Sequence, residues 1–150
     1  MTYRIRTVVG IDPGVHTGMA LAIDGVLREV YTVSFTNAQA ILLKMRERGH
    51  LFELVIEDPR GQYVPYNQRE PQRIKGVGSV ERDAKLWIDW CEFNRLKYIT
   101  LRPSKKTKTK LTASEFAKIT GWTKKTNEHG RDAGMLVFGR RNIAEVSTGA

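Results

Sequence analysis

The apolar positions of this chain fall into short β-branched runs, with helical spacings between and after them. Val8-Val9-Gly10-Ile11 is an apolar run stopped by Pro13-Gly14, the pattern of a buried strand. Met19-Ala20-Leu21-Ala22-Ile23 is a second strand, and Asp24-Gly25 is a two-residue hairpin signal that turns it into Val26–Val33. Three consecutive antiparallel strands are therefore expected. Thr36-Asn37-Ala38-Gln39 then reads as a capping box. Ala38, Ile41, Leu42 and Met45 follow at helical spacing, and Gly49 is placed to end the helix as a left-handed cap. Phe52–Glu57 is another short apolar strand, finishing on a carboxylate.

From Asp58 to Lys75 the periodicity breaks, because Pro59, Gly61, Pro65 and Pro71 exclude regular structure. Arg60, Arg69, Arg73 and Lys75 are mixed there with Tyr63 and Tyr66, a composition suited to phosphate contact and base stacking, and equally found in a plain surface loop. A long helix is predicted from about Val77 to Leu96. Val80, Ala84, Trp87, Ile88 and Cys91 line one face, and Leu86, Trp90 and Phe93 line another. A helix apolar on two sides needs two partners, the sheet and a further surface, for which a second copy of the chain is the candidate. Lys97–Leu101 reads as the last strand. Thr112-Ala113-Ser114-Glu115 is a second capping box, opening a short helix that Gly121 closes, and Asn127–Gly139 reads as a final helix with polar groups in its first turns. The order β-β-β-α-β-α-β-α predicts a single α/β domain over residues 1–150, built on a mixed sheet.

Composition narrows the class. An apolar content of 41% is that of a globular protein, and no apolar run reaches the length of a bilayer span. No signal peptide is visible, and the single cysteine, Cys91, forbids an internal disulfide and fits a reducing cytoplasm. The net charge of +9 changes the picture more, because a surface this basic attracts polyanions, nucleic acid first among them. The charge is concentrated in Arg102–Lys110, which contains Lys105, Lys106, Lys108 and Lys110 and no acidic residue.

Against that basic background a few acids stand out. Asp12 ends the first strand among apolar neighbours, where an unpaired carboxylate is costly, although Asp-Pro-Gly is also ordinary turn chemistry. Glu57 ends the strand that pairs beside it if the two are parallel neighbours, which sets the acids about 5 Å apart. His129 and Asp132 are three apart and project from one helix face; acids in a first helical turn also serve the helix dipole. Glu128 and Asp58 remain open as additional ligands. Carboxylates about 4 Å apart repel by roughly 4 kcal/mol at an effective dielectric of 20, so converging acids call for a cation. Hard oxygen donors favour Mg²⁺ or Mn²⁺.

The residues carry a resemblance. Asp12-Pro13-Gly14 with Thr17-Gly18 is similar to the first motif of RuvC-type Holliday-junction resolvases. The strand ending in Glu57 resembles their second acidic motif, and His129-Gly130-Arg131-Asp132-Ala133 resembles their final one. The element order matches as well, so the resemblance spans nearly the whole chain. It implies a ribonuclease-H-like fold with a five-stranded mixed sheet, three antiparallel strands followed by two parallel ones. It also implies a homodimeric endonuclease that nicks paired strands of four-way DNA junctions, with no organic cofactor and no membrane association. Asp12, Glu57, His129 and Asp132 become the catalytic and metal-binding set, holding two Mg²⁺ or Mn²⁺ ions roughly 4 Å apart. Arg60, Tyr63, Tyr66, Arg69, Arg73, Lys75 and the four lysines from Lys105 to Lys110 become the DNA contacts, and Leu86, Trp90 and Phe93 the dimer contact. The short chain is consistent with a phage-encoded or diverged member acting in the cytoplasm. One departure is plain: Asp58-Pro59-Arg60 stands where relatives place a base-contacting aromatic close behind the second acid, and the first aromatics here are Tyr63 and Tyr66. A broader flap or fork nuclease, and a branched-DNA binding module without catalysis, are the alternatives.

Overall fold

The computed structural model describes residues 5–59, 78–102 and 111–144. Five strands form one sheet: β1 (Thr7–Asp12), β2 (Thr17–Ile23), β3 (Val26–Val33), β4 (Glu53–Glu57) and β5 (Tyr98–Leu101). Their spatial order is β3-β2-β1-β4-β5. The β1–β2 and β2–β3 pairs are antiparallel, whereas β4 runs parallel to β1 and β5 parallel to β4. The expected mixed sheet is therefore present. At the hairpin, Asp24 and Gly25 both take positive φ (52° and 83°), the requirement of a tight primed turn.

The period-two alternation of β1 feeds two cores. Val9 and Ile11 face a layer of α1 (Phe35–Glu47) and α2 (Gly78–Phe93), meeting Leu42, Leu54, Ile56, Trp87 and Cys91. Val8 faces the opposite layer, α3 (Ala113–Thr120) and α4 (Glu128–Val137), with Val55, Phe116, Ala133 and Val137. Between them the two layers bury most of the central strands β1, β2 and β4.

Three details differ from the sequence reading. The N-cap of α1 is Ser34, whose hydroxyl accepts from Asn37 N–H at 3.1 Å, so Thr36 lies inside the first turn. Two capping-competent hydroxyls stand two apart, and the helix starts at the earlier one. Val80 is exposed and does not join Ala84, Trp87 and Cys91 in the core, because it sits in the first turn of α2 (Gly78–Phe93). Of the proposed dimer contact, Leu86 and Phe93 are exposed, but Trp90 is half-buried and packs edge-on against Trp87 with ring centroids 5.4 Å apart. Trp90 therefore already has a partner within its own chain. The second capping box is present: Thr112 accepts from Glu115 N–H at 3.1 Å, and the Glu115 carboxylate accepts from Thr112 N–H at 2.9 Å. Gly121 closes α3 at φ 80°. Among the described residues no helix is long and apolar enough to cross a membrane.

Candidate active site

One row of residues crosses the sheet at the carboxyl ends of β1 and β4. Asp12 pairs with Gly18, and Gly18 pairs with Thr32. On the other side Ile11 pairs with Ile56, which sets Glu57 beside Asp12 on the neighbouring parallel strand. Glu57 in turn pairs with Leu101 of β5. Asp12 and Glu57 share the sheet face of Val8 and Val55, the face that α4 covers.

The first turn of α4 lies on this row. Its N-cap, Asn127, accepts the Gly130 N–H at 3.2 Å and also the hydroxyl of Thr32, which ties the helix start to β3. The backbone then passes so close over β2 that a Cβ on Gly18 would run into the carbonyl oxygen of His129. On β1, a Cβ on Gly10 would meet the carbonyl of Ala133. The helix contributes Gly130, whose missing side chain leaves room for Val30 and the Tyr31 carbonyl, and Gly134, which admits the Phe116 ring. These four glycines let α4 approach the sheet closely, and sequence reasoning passed over them. Their signal was visible, a small residue inside each of two strands and a Gly-x-x-x-Gly spacing on the helix.

The close approach delivers His129 to Asp12: Nδ1 stands 3.3 Å from Asp12 Oδ2. An ionised carboxylate only accepts, so this hydrogen bond places a proton on Nδ1, and in the neutral imidazole Nε2 then keeps its lone pair. Nε2 stands 3.8 Å from Glu128 Oε1, beyond hydrogen-bond reach. The Asp12 side chain is 13% exposed and that of His129 34%, so the pair sits at the rim of the sheet with access from solvent. Asp132 lies one turn further along α4 on the same flank as His129. Asp58 is buried just beyond the end of β4, and its N–H donates to the Leu101 carbonyl at 2.8 Å. Strand alternation puts its side chain on the opposite face from Glu57.

The structure thus pairs Asp12 with His129 and sets Glu57 beside them. Among the described residues no group of three or more His, Cys, Asp or Glu side chains is gathered closely enough to hold a metal ion. In chemistry alone, three carboxylates and an imidazole at the ends of adjacent elements are donors of the kind a hard cation takes. Of the expected DNA contacts, Arg60, Tyr63, Tyr66, Arg69, Arg73, Lys75, Lys105, Lys106, Lys108 and Lys110 lie outside the described residues. The structure does describe where those segments attach: one leaves the sheet after β4 and the other after β5, both at the edge that carries Asp12.

Sequence reasoning also missed His16. It is exposed on the Pro13–His16 turn, with its ring centroid 6.3 Å from that of His129.

Comparison with solved structures identifies the fold. The chain superposes on RuvC of T. thermophilus, solved in complex with a Holliday junction substrate, with a TM-score of 0.55. The match covers 95% of this chain and 97% of that one at 19% sequence identity. This protein therefore has the ribonuclease-H-like fold in its RuvC form. No protein-family model and no curated protein matches the sequence.

Proposed function

We propose that the protein is a metal-dependent endonuclease of branched DNA that nicks paired strands of four-way junctions as a homodimer. The observation that carries this reading is the Asp12–His129 pair at the end of β1, with Glu57 ending the adjacent parallel strand. Support comes from the fold shared with a RuvC solved on a junction and from the attachment of both basic segments to the same sheet edge. A purely structural role does not need acids converging where a phosphate backbone is to be held.

In this reading Asp12, Glu57 and Asp132 hold the divalent ion or ions, Mg²⁺ or Mn²⁺. When bound, such an ion supplies Lewis-acid polarisation of the phosphodiester and activation of the attacking water. Asp12 also orients His129 by accepting from Nδ1–H. The lone pair on Nε2 is then available to take a proton from the water. Lys105, Lys106, Lys108 and Lys110 neutralise backbone phosphates, and Arg60, Arg69, Arg73 and Lys75 do the same on the β4 side, with Tyr63 and Tyr66 stacking on bases. The second protomer covers Leu86 and Phe93, two exposed apolar residues of α2.

The test is cleavage of an end-labelled four-way junction beside linear duplex and flap substrates, with Mg²⁺, Mn²⁺ or chelator. Paired symmetric nicks confined to the junction and lost with chelator are the expected result. Equal cutting of flaps and forks would make the protein a general branch nuclease. Tight binding with no metal-dependent cutting would make it a binding module.

A further inference from the structure

The turn between β1 and β2 is built to hold two residues out beside the candidate site. Pro13 is buried, and Thr17 is buried as well, its hydroxyl donating to the Gly14 carbonyl at 2.9 Å. The backbone is therefore pinned at both ends of Val15-His16. Both side chains nevertheless face solvent, Val15 with 81% of its surface exposed. His16 stands beside His129, the two rings inclined by only 30°. His16 closes no core, and a ring pair on an exposed surface adds little to stability. A fixed turn that presents an imidazole and an apolar side chain next to an acid-and-imidazole site is arranged for a ligand. Pinning lowers the entropy lost when that ligand binds.

We propose that His16 is a substrate-contacting residue. Its imidazole N–H donates to a non-bridging phosphate oxygen of the strand being cut, at a nucleotide next to the scissile phosphate. Val15 packs on the sugar of the same nucleotide. This assignment rests on the reading of the Asp12 edge as a DNA-cleaving site. It adds a contact on the side away from β4, at the turn between β1 and β2. The contact needs a donor at this position rather than a charge, so glutamine can replace the imidazole.

The test uses the full chain with His16→Ala, His16→Gln and Val15→Ala. Junction affinity is measured in chelator, and cleavage kinetics are measured with Mg²⁺. His16→Ala should weaken junction binding roughly tenfold, the scale of one hydrogen bond to a charged group, and raise KM more than it lowers kcat. His16→Gln should recover most of that loss, and Val15→Ala should weaken binding by a smaller factor, all three with melting temperatures near wild type. Unchanged affinity in His16→Ala would overturn the proposal. So would an equal loss in Ala and Gln accompanied by a lower melting temperature, which is the behaviour of a packing residue. If the wild-type chain binds junctions without cutting them, the nuclease reading fails while the affinity comparison still decides the contact. If it does not bind DNA, both fail.

Discussion

Gly18 lies directly under His129, with no room between the strand and the helix backbone for even a methyl group. The same missing Cβ would stand 3.2 Å from the Cβ of Asp12, so the contact between helix and sheet and the candidate site are one piece of geometry. Gly18→Ala must displace a carbonyl, which a flexible side chain cannot relieve. The substitution should cost roughly 3 kcal/mol and separate His129 from Asp12. Gly49→Ala is the control. Nothing lies within 4 Å of a Cβ there, and only the left-handed φ of 82° is strained, so about 1 kcal/mol is expected. Urea denaturation of both variants checks the difference.

The Asn127 side chain performs two tasks, capping α4 through Gly130 N–H and accepting from the Thr32 hydroxyl. Asn127→Ala should cost about 1–2 kcal/mol, because it removes both hydrogen bonds together. Thr32→Val keeps the cap and should cost less. If the two variants melt alike, the cap is not what seats the helix.

Burial first, and Glu92 second, push the Cys91 thiol up to about 12. Burial also raises Tyr98 to about 12, helped by Glu92, whose carboxylate accepts the Tyr98 hydroxyl at 2.7 Å. Both groups are neutral when protonated and are held protonated in the fold. Their contribution is complete below their ordinary values, 9.0 and 10.0, and is lost as pH rises towards about 12. Stability should therefore fall between about pH 9 and 12, and Cys91→Ala should flatten that fall. Cys91 should also resist alkylation at pH 8 until the protein unfolds. Equal slopes in wild type and Cys91→Ala would contradict this account.

Much of the fold was legible because it is written locally. Asp24-Gly25 admits few turns besides the one found, and Thr112 with Glu115 is a complete capping box within four residues. The acids Asp12 and Glu57 could be placed at one edge because each ends an apolar run. What escaped depends on distance across the chain. Gly10 and Gly18 mark small positions in their strands, but only the structure shows which helix residues, more than a hundred positions later, press on them. His16 looked like a turn residue until the structure set it beside His129. Trp90 read as an outer-face residue from its periodicity, yet a large ring at a helix flank reaches sideways to Trp87.

The lysines from Lys105 to Lys110 give a prediction that does not depend on cleavage. Replacing all four with neutral residues should flatten the dependence of DNA affinity on salt, by up to roughly 0.9 log units of slope for each phosphate no longer neutralised. An unchanged slope, followed by fluorescence anisotropy across a salt series, would mean that these lysines only solvate the surface.

The central claim is that Asp12 is the pivot of a metal-dependent cleavage site. Its most direct test compares wild type and Asp12→Asn on the same four-way junction, with binding measured in chelator and nicking measured with Mg²⁺. The account predicts equal or tighter binding by Asp12→Asn, since a negative charge beside phosphate is removed. It also predicts nicking at least about a thousandfold slower, or roughly 4 kcal/mol less transition-state stabilisation. Nicking by purified Asp12→Asn at the wild-type rate would contradict it.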